Sequence, residues 1–413
     1  MSAPLPAKSA TPPSALTAAG LGLGRTAALL GLVSTVGPLA IDMYLPAFPA
    51  MTADLHARPA EVQLSLVVFF CAMAVGQLVY GPLSDAFGRK RPLQVGLALF
   101  LVATIGCVFA PDIHSLIALR ALQGLGACSG MTISRAVVRD QHTGPQAAKL
   151  LSMMILVWGV SPLFAPLAGS LILQIGGWRL IFAILTGLVG LTLALVTFVL
   201  PESHPEHKRI EPSAPAMLRT YLRLLRDRRL MGLTFSNASW SGSVFSYLAT
   251  SSFVFAHEYH LSPLAYGGMF GICASGMVMS SQTNSWLMRR LGAERQLRRV
   301  GLAAMGAGLF LTTTVLAHLA SLPVMMLGSF LLFASQGVSM TPASVTALDH
   351  QGDNAGAAAA LMGAVQLATG SAISGLVSAL FAPEAIVLVG TQLACVTFGA
   401  LACRVAFWRG ATP

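Results

Sequence analysis

The chain is dominated by long apolar runs that alternate with short polar connections. Only 10% of its 413 residues are charged and 55% are hydrophobic, whereas a soluble domain carries roughly 25% charged residues. A run of about 20 apolar residues can cross a bilayer as a helix, and lipid offers an irregular backbone no hydrogen-bond partner. The sequence therefore predicts an all-α polytopic membrane protein with no large soluble domain.

Twelve runs qualify as membrane spans. Their approximate limits are 26–48, 62–83, 93–111, 114–138, 148–173, 179–200, 230–255, 264–287, 299–319, 322–345, 354–381 and 384–407. The longest internal connection divides them into six and six. The predicted organisation is a tail over 1–25, a six-helix bundle over 26–200, a connector over 201–229, a second bundle over 230–407 and a tail over 408–413.

Basic residues fix the predicted orientation. Of the 25 Lys and Arg residues, all except Arg58, Arg120 and Arg179 fall on one side of the predicted spans. Loops rich in Lys and Arg stay in the cytoplasm, so both termini are expected there. This asymmetry also accounts for the net charge of +10, and no nucleic-acid partner is needed to explain it. The connector, which holds many of these residues, is expected to be solvated at the membrane surface.

The two halves resemble each other in sequence. GPLSDAFGRKRPLQVGL (81–97) follows span two, and SWLMRRLGAERQLRRVGL (285–302) follows span eight. LRALQG (119–124) in span four matches LFASQG (332–337) in span ten. The pattern indicates a duplicated six-helix unit. Two such pseudo-symmetric bundles place a binding site at their shared interface near the middle of the membrane.

Two charged residues lie inside predicted spans at matching depth, roughly 10 to 12 Å below the outer surface. They are Asp42 in span one and Arg120 in span four. A charge there costs at least about 2.5 to 3.5 kcal/mol, so it needs a reason. One interpretation is a structural ion pair. The favoured interpretation is that Asp42 carries protons and that Arg120 tunes the proton affinity of Asp42. Phe333 occupies the position of this arginine in the second half, so proton coupling is expected in the first half.

A charged turn follows span two and faces the predicted cytoplasm. Asp85, Gly88, Arg89 and Arg91 lie in it, and Asp140 ends span four. These residues either anchor the topology or form a gate. In the gate, Asp85 meets a helix amino terminus of the other half, and Arg89 or Arg91 meets Asp140.

Helix-breaking and polar residues mark the expected moving parts and ligand contacts. The predicted hinges are Pro46, Pro162, Pro166 and Gly169, since proline kinks helices at cavity walls. Aromatic and amide side chains within the spans predict a pocket for neutral or weakly charged lipophilic compounds, although each could serve only packing. The predicted substrate contacts are Tyr44, Gln123, Trp158, Asn237, Trp240, Phe245, Gln336 and Gln366.

Several functional classes find no support in the sequence. It has no His-Glu-x-x-His, no Gly-x-Ser-x-Gly and no Gly-x-x-x-x-Gly-Lys-Ser/Thr motif, so neither an enzyme nor an ATP-driven pump is expected. The six cysteines lie in apolar stretches without close pairing and are expected to be buried hydrophobes. No cofactor and no metal site are predicted. Energy for any transport would have to come from an ion gradient.

Three motifs resemble a known family. IDMYLPAFP (41–49), GPLSDAFGRKRP (81–92) and LRALQGLGA (119–127) are similar to motifs of the major facilitator superfamily, and specifically of its drug:proton antiporters of the bicyclomycin-resistance and chloramphenicol-exporter (Bcr/CflA) type. By this resemblance Asp42 is the membrane acid, Arg120 its coupling partner, and Asp85 and Arg89 belong to the gate. One departure is Ala165-Pro166-Leu167-Ala168-Gly169-Ser170, where the antiporter motif usually reads Gly-Pro-x-x-Gly-Gly.

The resemblance implies the major facilitator fold and an alternating-access exporter of the bacterial inner membrane. It would exchange lipophilic antibiotics or toxins, such as chloramphenicol-like or bicyclomycin-like compounds, for protons. A monomer embedded in the lipid bilayer is expected. The alternative is a proton-coupled transporter of a sugar or another small metabolite, which would need more fixed polar groups in the second half.

Overall fold

The computed structural model describes residues 22–141, 144–209, 214–349 and 351–407. Within these ranges the regular structure is helical. The first half contains α1 (Leu23–Asp42), α2 (Phe48–Asp54), α3 (Pro59–Phe87), α4 (Lys90–Val108), α5 (Ile113–Gln141) and α6 (Gly144–Phe198). The predicted tails lie almost wholly outside the described residues.

The connector and the second half contain the remaining helices. They are α7 (Ala214–Leu225), α8 (Arg228–His257), α9 (Pro263–Ser281), α10 (Asn284–Leu291), α11 (Ala293–Leu316), α12 (Leu322–Leu348), α13 (Ala355–Leu380) and α14 (Ala385–Ala406). Local sequence explains several starts. The Asp227 carboxylate accepts from the first-turn N–H groups of α8, Ser262 caps α9, and proline occupies the first turns of α3 and α9.

The long helix α6 consists of two arms. Gly176 has φ −149° and ψ 21°, and Gly177 has φ +72° and ψ −176°, so the helix breaks between them. A positive φ favours glycine, which lacks a Cβ. The arms match the predicted spans 148–173 and 179–200, and the Gly-Gly pair supplies the turn between them.

Ten segments of the described chain are long and apolar enough to cross a membrane. The segment Ser161–Phe198 contains the kink of α6. The 30-residue helix α8 is not among the ten, because serine and asparagine dilute its apolar character. The prediction of an all-helical polytopic membrane protein is confirmed. The count of twelve crossings stays a prediction, which the two arms of α6 and the length of α8 support.

The two halves pack closely at the end predicted to face outward. The rings of Phe48 and Phe253 lie 5.8 Å apart between their centroids. The Ser170 hydroxyl of α6 lies 2.8 Å from the Pro263 carbonyl at the start of α9. Farther along the interface, a Cβ built on Gly375 of α13 would lie 3.2 Å from Val67 of α3. Small residues thus allow the helices of the two halves to approach each other closely.

The described part of the connector contains a helix, α7. Helix α7 contacts α8 and α13 of the second half, and its Tyr221 hydroxyl donates to the Leu78 carbonyl of α3 in the first half at 3.3 Å. Burial raises the pKa of Tyr221, and the negative charge of Asp85 raises it further. Leu224 is buried on the same helix, whereas Leu218 and Leu222 are exposed. The sequence predicted a solvated stretch; the structure shows a helix with one face docked, because its apolar residues recur at helical spacing.

Candidate functional site

Asp42 lies at a break in the first span. Helix α1 ends at Asp42, a turn follows, and Pro46 lies in the 3-10 turn Leu45–Ala47 before α2 begins. Helix α2 continues the span to Asp54, beyond the predicted limit at residue 48. Asp42 is therefore twelve residues from that end, or roughly 18 Å at 1.5 Å per residue, deeper than predicted. Its carboxylate is buried, with 6% of the residue exposed.

Helix α6 passes directly against this break. Gly169 contacts the Met43 backbone so closely that a Cβ at residue 169 would collide with the Met43 carbonyl. Pro162 and Pro166 both lie inside α6 on the approach to this contact. The departure at Ser170 has a structural reason, since its hydroxyl reaches α9 of the second half. Three of the four predicted hinge residues thus border the break at Asp42 or lead to it, and the fourth, Pro46, is part of it.

Arg120 is completely buried, with 0% exposed. Its Nη1 donates to the Ala40 carbonyl at 3.1 Å and to Gln123 Oε1 at 2.5 Å. Its guanidinium lies 4.4 Å from the ring centroid of Tyr44 and 4.2 Å from that of Phe69. Nε and Nη2 are buried and have no hydrogen-bond partner in the described structure. The charge is therefore held by aromatic faces and two acceptors, with part of its donor capacity unused.

Asp42 and Arg120 do not form an ion pair among the described residues in this state. The turn that follows Asp42, Leu45–Ala47, contacts α8 and α9 of the second half. Asp42 therefore lies between the halves, while Arg120 lies inside the first half at the level of Ala40.

Tyr44 and Gln123, two predicted substrate contacts, belong to the surroundings of Arg120. The Tyr44 hydroxyl lies 2.6 Å from that of Ser65. Gln123 accepts from Arg120 and donates from Nε2 to Thr104 at 2.8 Å. Both side chains are fully buried. Their position favours a role in holding Arg120 over direct ligand contact.

The charged turn after α3 forms a second site, here named the inner cluster: Asp85, Arg89 and Asp140. Arg89 donates from Nε to Asp140 Oδ2 at 2.7 Å, and from Nη1 to Asp85 Oδ1 at 2.5 Å and to Ser84 at 2.7 Å. Burial opposes the charge of Arg89, but the two carboxylates outweigh it and raise its pKa. Gly88, with φ +85°, makes the turn that aims Arg89. Arg91 is exposed, so Arg89 is the arginine that meets Asp140.

The predicted contact of Asp85 with a helix amino terminus of the other half stays a prediction. The partner of Asp85 is Arg89 in its own half. The residue that approaches the start of α13 is Arg139, whose Nη1 lies 3.9 Å from a Cβ built on Gly356. A guanidinium at the positive end of a helix is not a favourable pair.

Sequence reasoning missed Glu202, which lies just after α6. Its Oε1 accepts from the Arg89 N–H at 2.9 Å, and its Oε2 accepts from the Lys90 N–H at 3.1 Å. The available signal was an acid directly after an apolar run, on the side where the basic turn was expected. Its partners lie 112 and 113 residues away, so local pattern could not identify them.

The second half contains a polar network, here named the amide cluster: Asn237, Ser241, Gln336 and Gln366. The Ser241 hydroxyl accepts from Gln336 Nε2 and from Gln366 Nε2, each at 2.7 Å. Asn237 Nδ2 donates to Gln366 Oε1 at 3.5 Å. The Asn237 Oδ1 and Gln336 Oε1 atoms are buried with no partner in the described structure. Sequence reasoning grouped these amides without placing Ser241 among the predicted substrate contacts, and Ser241 is their centre.

The aromatic candidates have different positions. Phe245 lies at the interface of the halves, with its ring centroid 4.6 Å from that of Phe70. Trp240 points to α14, where its Nε1 donates to the Val396 carbonyl at 3.3 Å, and its ring packs against Gly399. This is a packing position. The side chain of Trp158 lies outside the described part of the structure.

The described residues contain no group of three or more His, Cys, Asp or Glu side chains that could hold a metal ion. What the site does contain is a buried acid between two halves, a partly unpaired buried arginine, a set of uncharged amides and a charged cluster near one end. Such an arrangement can bind a proton and an uncharged ligand.

Comparison with known proteins places the chain in a family. A profile of the Major Facilitator Superfamily matches residues 30–378. YdgK of Bacillus subtilis, an uncharacterized MFS-type transporter, is 36% identical over 355 residues, which cover 84% of this chain and 87% of that protein. A bicyclomycin resistance protein homolog of Haemophilus influenzae is 31% identical over 374 residues, which cover 90% of this chain and 94% of that protein.

The fold agrees. The crystal structure of a D-xylose-proton symporter superposes with a TM-score of 0.71 and covers 93% of this chain and 96% of that one. At 16% identity this likeness shows the fold alone. The chain belongs to the Major Facilitator Superfamily, and the resemblance to its bicyclomycin-resistance and chloramphenicol-exporter type is confirmed.

Proposed function

We propose that the protein exports lipophilic compounds from the cell in exchange for protons. The observation that carries this proposal is the position of Asp42: a buried carboxylate at a helix break between the two halves, with the buried Arg120 nearby and not paired with it. A carboxylate in such a place can take up and release a proton when the halves move.

The unpaired nitrogens of Arg120 supply the coupling. A buried donor without a partner costs roughly 1 to 3 kcal/mol, and more when it is charged. Arg120 already contacts the carbonyl of Ala40, two residues before Asp42. A movement of the end of α1 that brings an ionised Asp42 to Nε or Nη2 would supply the missing partner, whereas a protonated Asp42 would gain less from that contact. Deprotonation thereby favours one arrangement of the halves and protonation the other.

The amide cluster and the interface aromatics supply the ligand contacts. The unpaired Asn237 Oδ1 and Gln336 Oε1 atoms can accept from a ligand N–H or O–H. Phe245 and Phe70 add an apolar wall between the halves. A pocket with uncharged acceptors and aromatic rings suits a neutral or weakly charged lipophilic ligand. The names of the bicyclomycin resistance protein homolog and of the chloramphenicol resistance protein of Pseudomonas aeruginosa agree with this class.

The inner cluster acts as the gate of the first half. Its charged groups lie at the end that the distribution of Lys and Arg assigns to the cytoplasm. In this proposal both termini are cytoplasmic, the protein resides in the bacterial inner membrane, and a monomer suffices because each chain has both halves. The halves rock about the central site, and each ligand shifts the balance only by its different affinity for the two states.

The test is uptake of labelled lipophilic antibiotics into energised inside-out vesicles. We expect uptake that stops when a protonophore collapses the proton gradient and that is unaffected when sodium is replaced. Uptake of sugars or polar metabolites with no uptake of any lipophilic compound would refute the proposal in favour of a metabolite carrier.

A further inference from the structure

We propose that Glu202, the second residue of the connector, is a positioning residue of the inner cluster. Its carboxylate holds the turn between α3 and α4 so that Arg89 stays aimed at Asp140. The inference rests on the proposed role of the inner cluster as a gate. It extends that gate from the turn after α3 to the segment that joins the two halves.

The first step is the geometry at the start of α4. The first N–H groups of a helix have no partner within the helix, and they favour a negative charge. The two oxygens of Glu202 accept from the successive N–H groups of Arg89 and Lys90, at 2.9 and 3.1 Å. Each oxygen has its own donor. The carboxylate therefore fixes both the position and the direction of the backbone that carries Arg89.

The second step concerns Gly88. A Cβ built on this residue would lie 2.6 Å from Glu202 Oε2, which is closer than unbonded atoms approach. Gly88 also has φ +85°, where side chains other than glycine are strained. The glycine is thus required both for the turn and for the space that the carboxylate occupies. The sequence suggested Gly88 only as a turn residue. In the structure it also leaves room for the Glu202 carboxylate.

The third step is that Glu202 is itself held. Its Oε1 accepts from the His204 N–H at 2.9 Å. Gln141, at the end of α5, donates from Nε2 to the Ser203 carbonyl at 3.3 Å. His204 Nδ1 lies 3.7 Å from Asp140 Oδ2. The start of the connector therefore binds the same two elements that Arg89 joins, the α3–α4 turn and the end of α5.

The consequence follows from chain connectivity. The connector is the covalent link between the halves, and its first residues are part of the gate of the first half. A displacement of the second half can pull on the segment after residue 204 and so act on the turn that carries Arg89. Without Glu202 this turn would lose two backbone contacts, and the gate would close less often.

The experiment compares Glu202→Ala and Glu202→Gln with the control Glu206→Gln. Glu206 lies four residues along the same segment and its side chain is 87% exposed. Its partner Arg209 is 23% exposed and borders Gly88, so this control also tests whether Arg209 affects the turn. Glutamine at 202 keeps the shape but has one acceptor oxygen in place of two. Spin labels on Gln146→Cys and Arg289→Cys report the separation of the halves at this end. The exposed Cys71 is replaced by serine.

We expect Glu202→Ala to shift the population ratio of wide to narrow separations by about tenfold, since one charge-assisted hydrogen bond has that effect on an equilibrium. Glu202→Gln should lie between Ala and the unmodified protein, and Glu206→Gln should match the unmodified protein. A distance distribution unchanged in Glu202→Ala, or a change only in thermal stability, would overturn the inference.

The distance measurement needs no transport. If the unmodified protein moves no lipophilic compound but Glu202→Ala still shifts the distribution, the proposed substrate is wrong and the positioning role stands. If transport is normal and the distribution does not respond, the positioning role is wrong and the proposed function stands.

Discussion

Arg120 of α5 donates a hydrogen bond to the carbonyl of Ala40, which lies two residues before Asp42 in α1. The contact links the buried cation to the end of α1 through the backbone, with no direct pairing of the two charges. Two other nitrogens of the same guanidinium have no partner in the described structure. The arginine is thus attached to the helix that ends at the acid and is still able to bind the acid itself.

Replacing Arg120 should impair proton-driven uptake more than ligand exchange, which needs no proton coupling. Arg120→Lys keeps the charge but loses the planar guanidinium that stacks on Tyr44 and Phe69. We expect proton-driven uptake to fall at least about tenfold, while exchange of labelled for unlabelled ligand continues. The measurement is uptake and exchange in the same vesicles. Arg58→Lys, at an exposed position, is the control; equal losses in both activities of Arg120→Lys would contradict the coupling role.

The contact between Gly169 and Met43 should tolerate no side chain. A Cβ at residue 169 would collide with the Met43 carbonyl beside Asp42, so Gly169→Ala must displace α6 or the break in the first span. We expect a loss of about 1 to 3 kcal/mol in stability, the usual cost of overpacking, together with slower transport. Thermal unfolding and uptake measure the two effects.

The control is Gly187→Ala, where a new Cβ would meet nothing within 4 Å. Alanine favours a helix over glycine, so this variant should be at least as stable as the unmodified protein. If Gly169→Ala behaves as Gly187→Ala does, close packing at the break is not required.

The amide cluster should bind ligands that carry a hydrogen-bond donor more tightly than ligands that lack one. Gln336→Leu removes an unpaired acceptor and the donor to Ser241. A ligand that donates to Oε1 should bind about 2-fold to 10-fold more weakly, the range for one hydrogen bond. An analogue whose donor is methylated should bind the variant and the unmodified protein alike. Binding assays with the matched pair test this, with the exposed Gln282 changed to leucine as control; equal weakening of both ligands would contradict the prediction.

The charged turn after α3 contains a matched pair of arginines, Arg89 of the inner cluster and the neighbouring Arg91. Arg89 is 6% exposed and contacts two carboxylates, whereas Arg91 is exposed. Lysine cannot reproduce the several directed bonds of a buried guanidinium, and an exposed charge contributes little. We expect Arg89→Lys to slow transport about tenfold or more and Arg91→Lys to change it less than about twofold. Similar rates for the two variants would show that Arg89 has no special role.

Sequence reasoning could predict those site residues that are unusual in their immediate sequence surroundings. A charge in an apolar run, such as Asp42 or Arg120, requires an explanation wherever it occurs, and the turn residue Gly88 is evident beside its basic neighbours. The end of span one was predicted at residue 48, next to Pro49, but the chain continues as α2 to Asp54. Proline there begins a new helix after a break, and a pattern of apolar residues does not distinguish a break from an end.

Contacts between distant segments could not be predicted. Ser241 was one serine among several in α8, and only the positions of α12 and α13 make it the centre of the amide cluster. Trp240 looked equally suited to a ligand, yet it turns to α14. Tyr44 and Gln123 share the motifs of Asp42 and Arg120, and they pack around the arginine. The residue types were informative, whereas the direction of each side chain depended on the packing of the helices.

The central claim is that Asp42 carries the transported proton. The most direct measurement is proton release on adding a lipophilic substrate to energised inside-out vesicles, compared among the unmodified protein, Asp42→Asn and Asp112→Asn. Asp112 is exposed at the start of α5 and bonds Ser115, so its variant makes the same chemical change outside the site. We predict that substrate-induced proton release disappears in Asp42→Asn and persists in Asp112→Asn. Undiminished proton release by Asp42→Asn, with transport intact, would contradict the account.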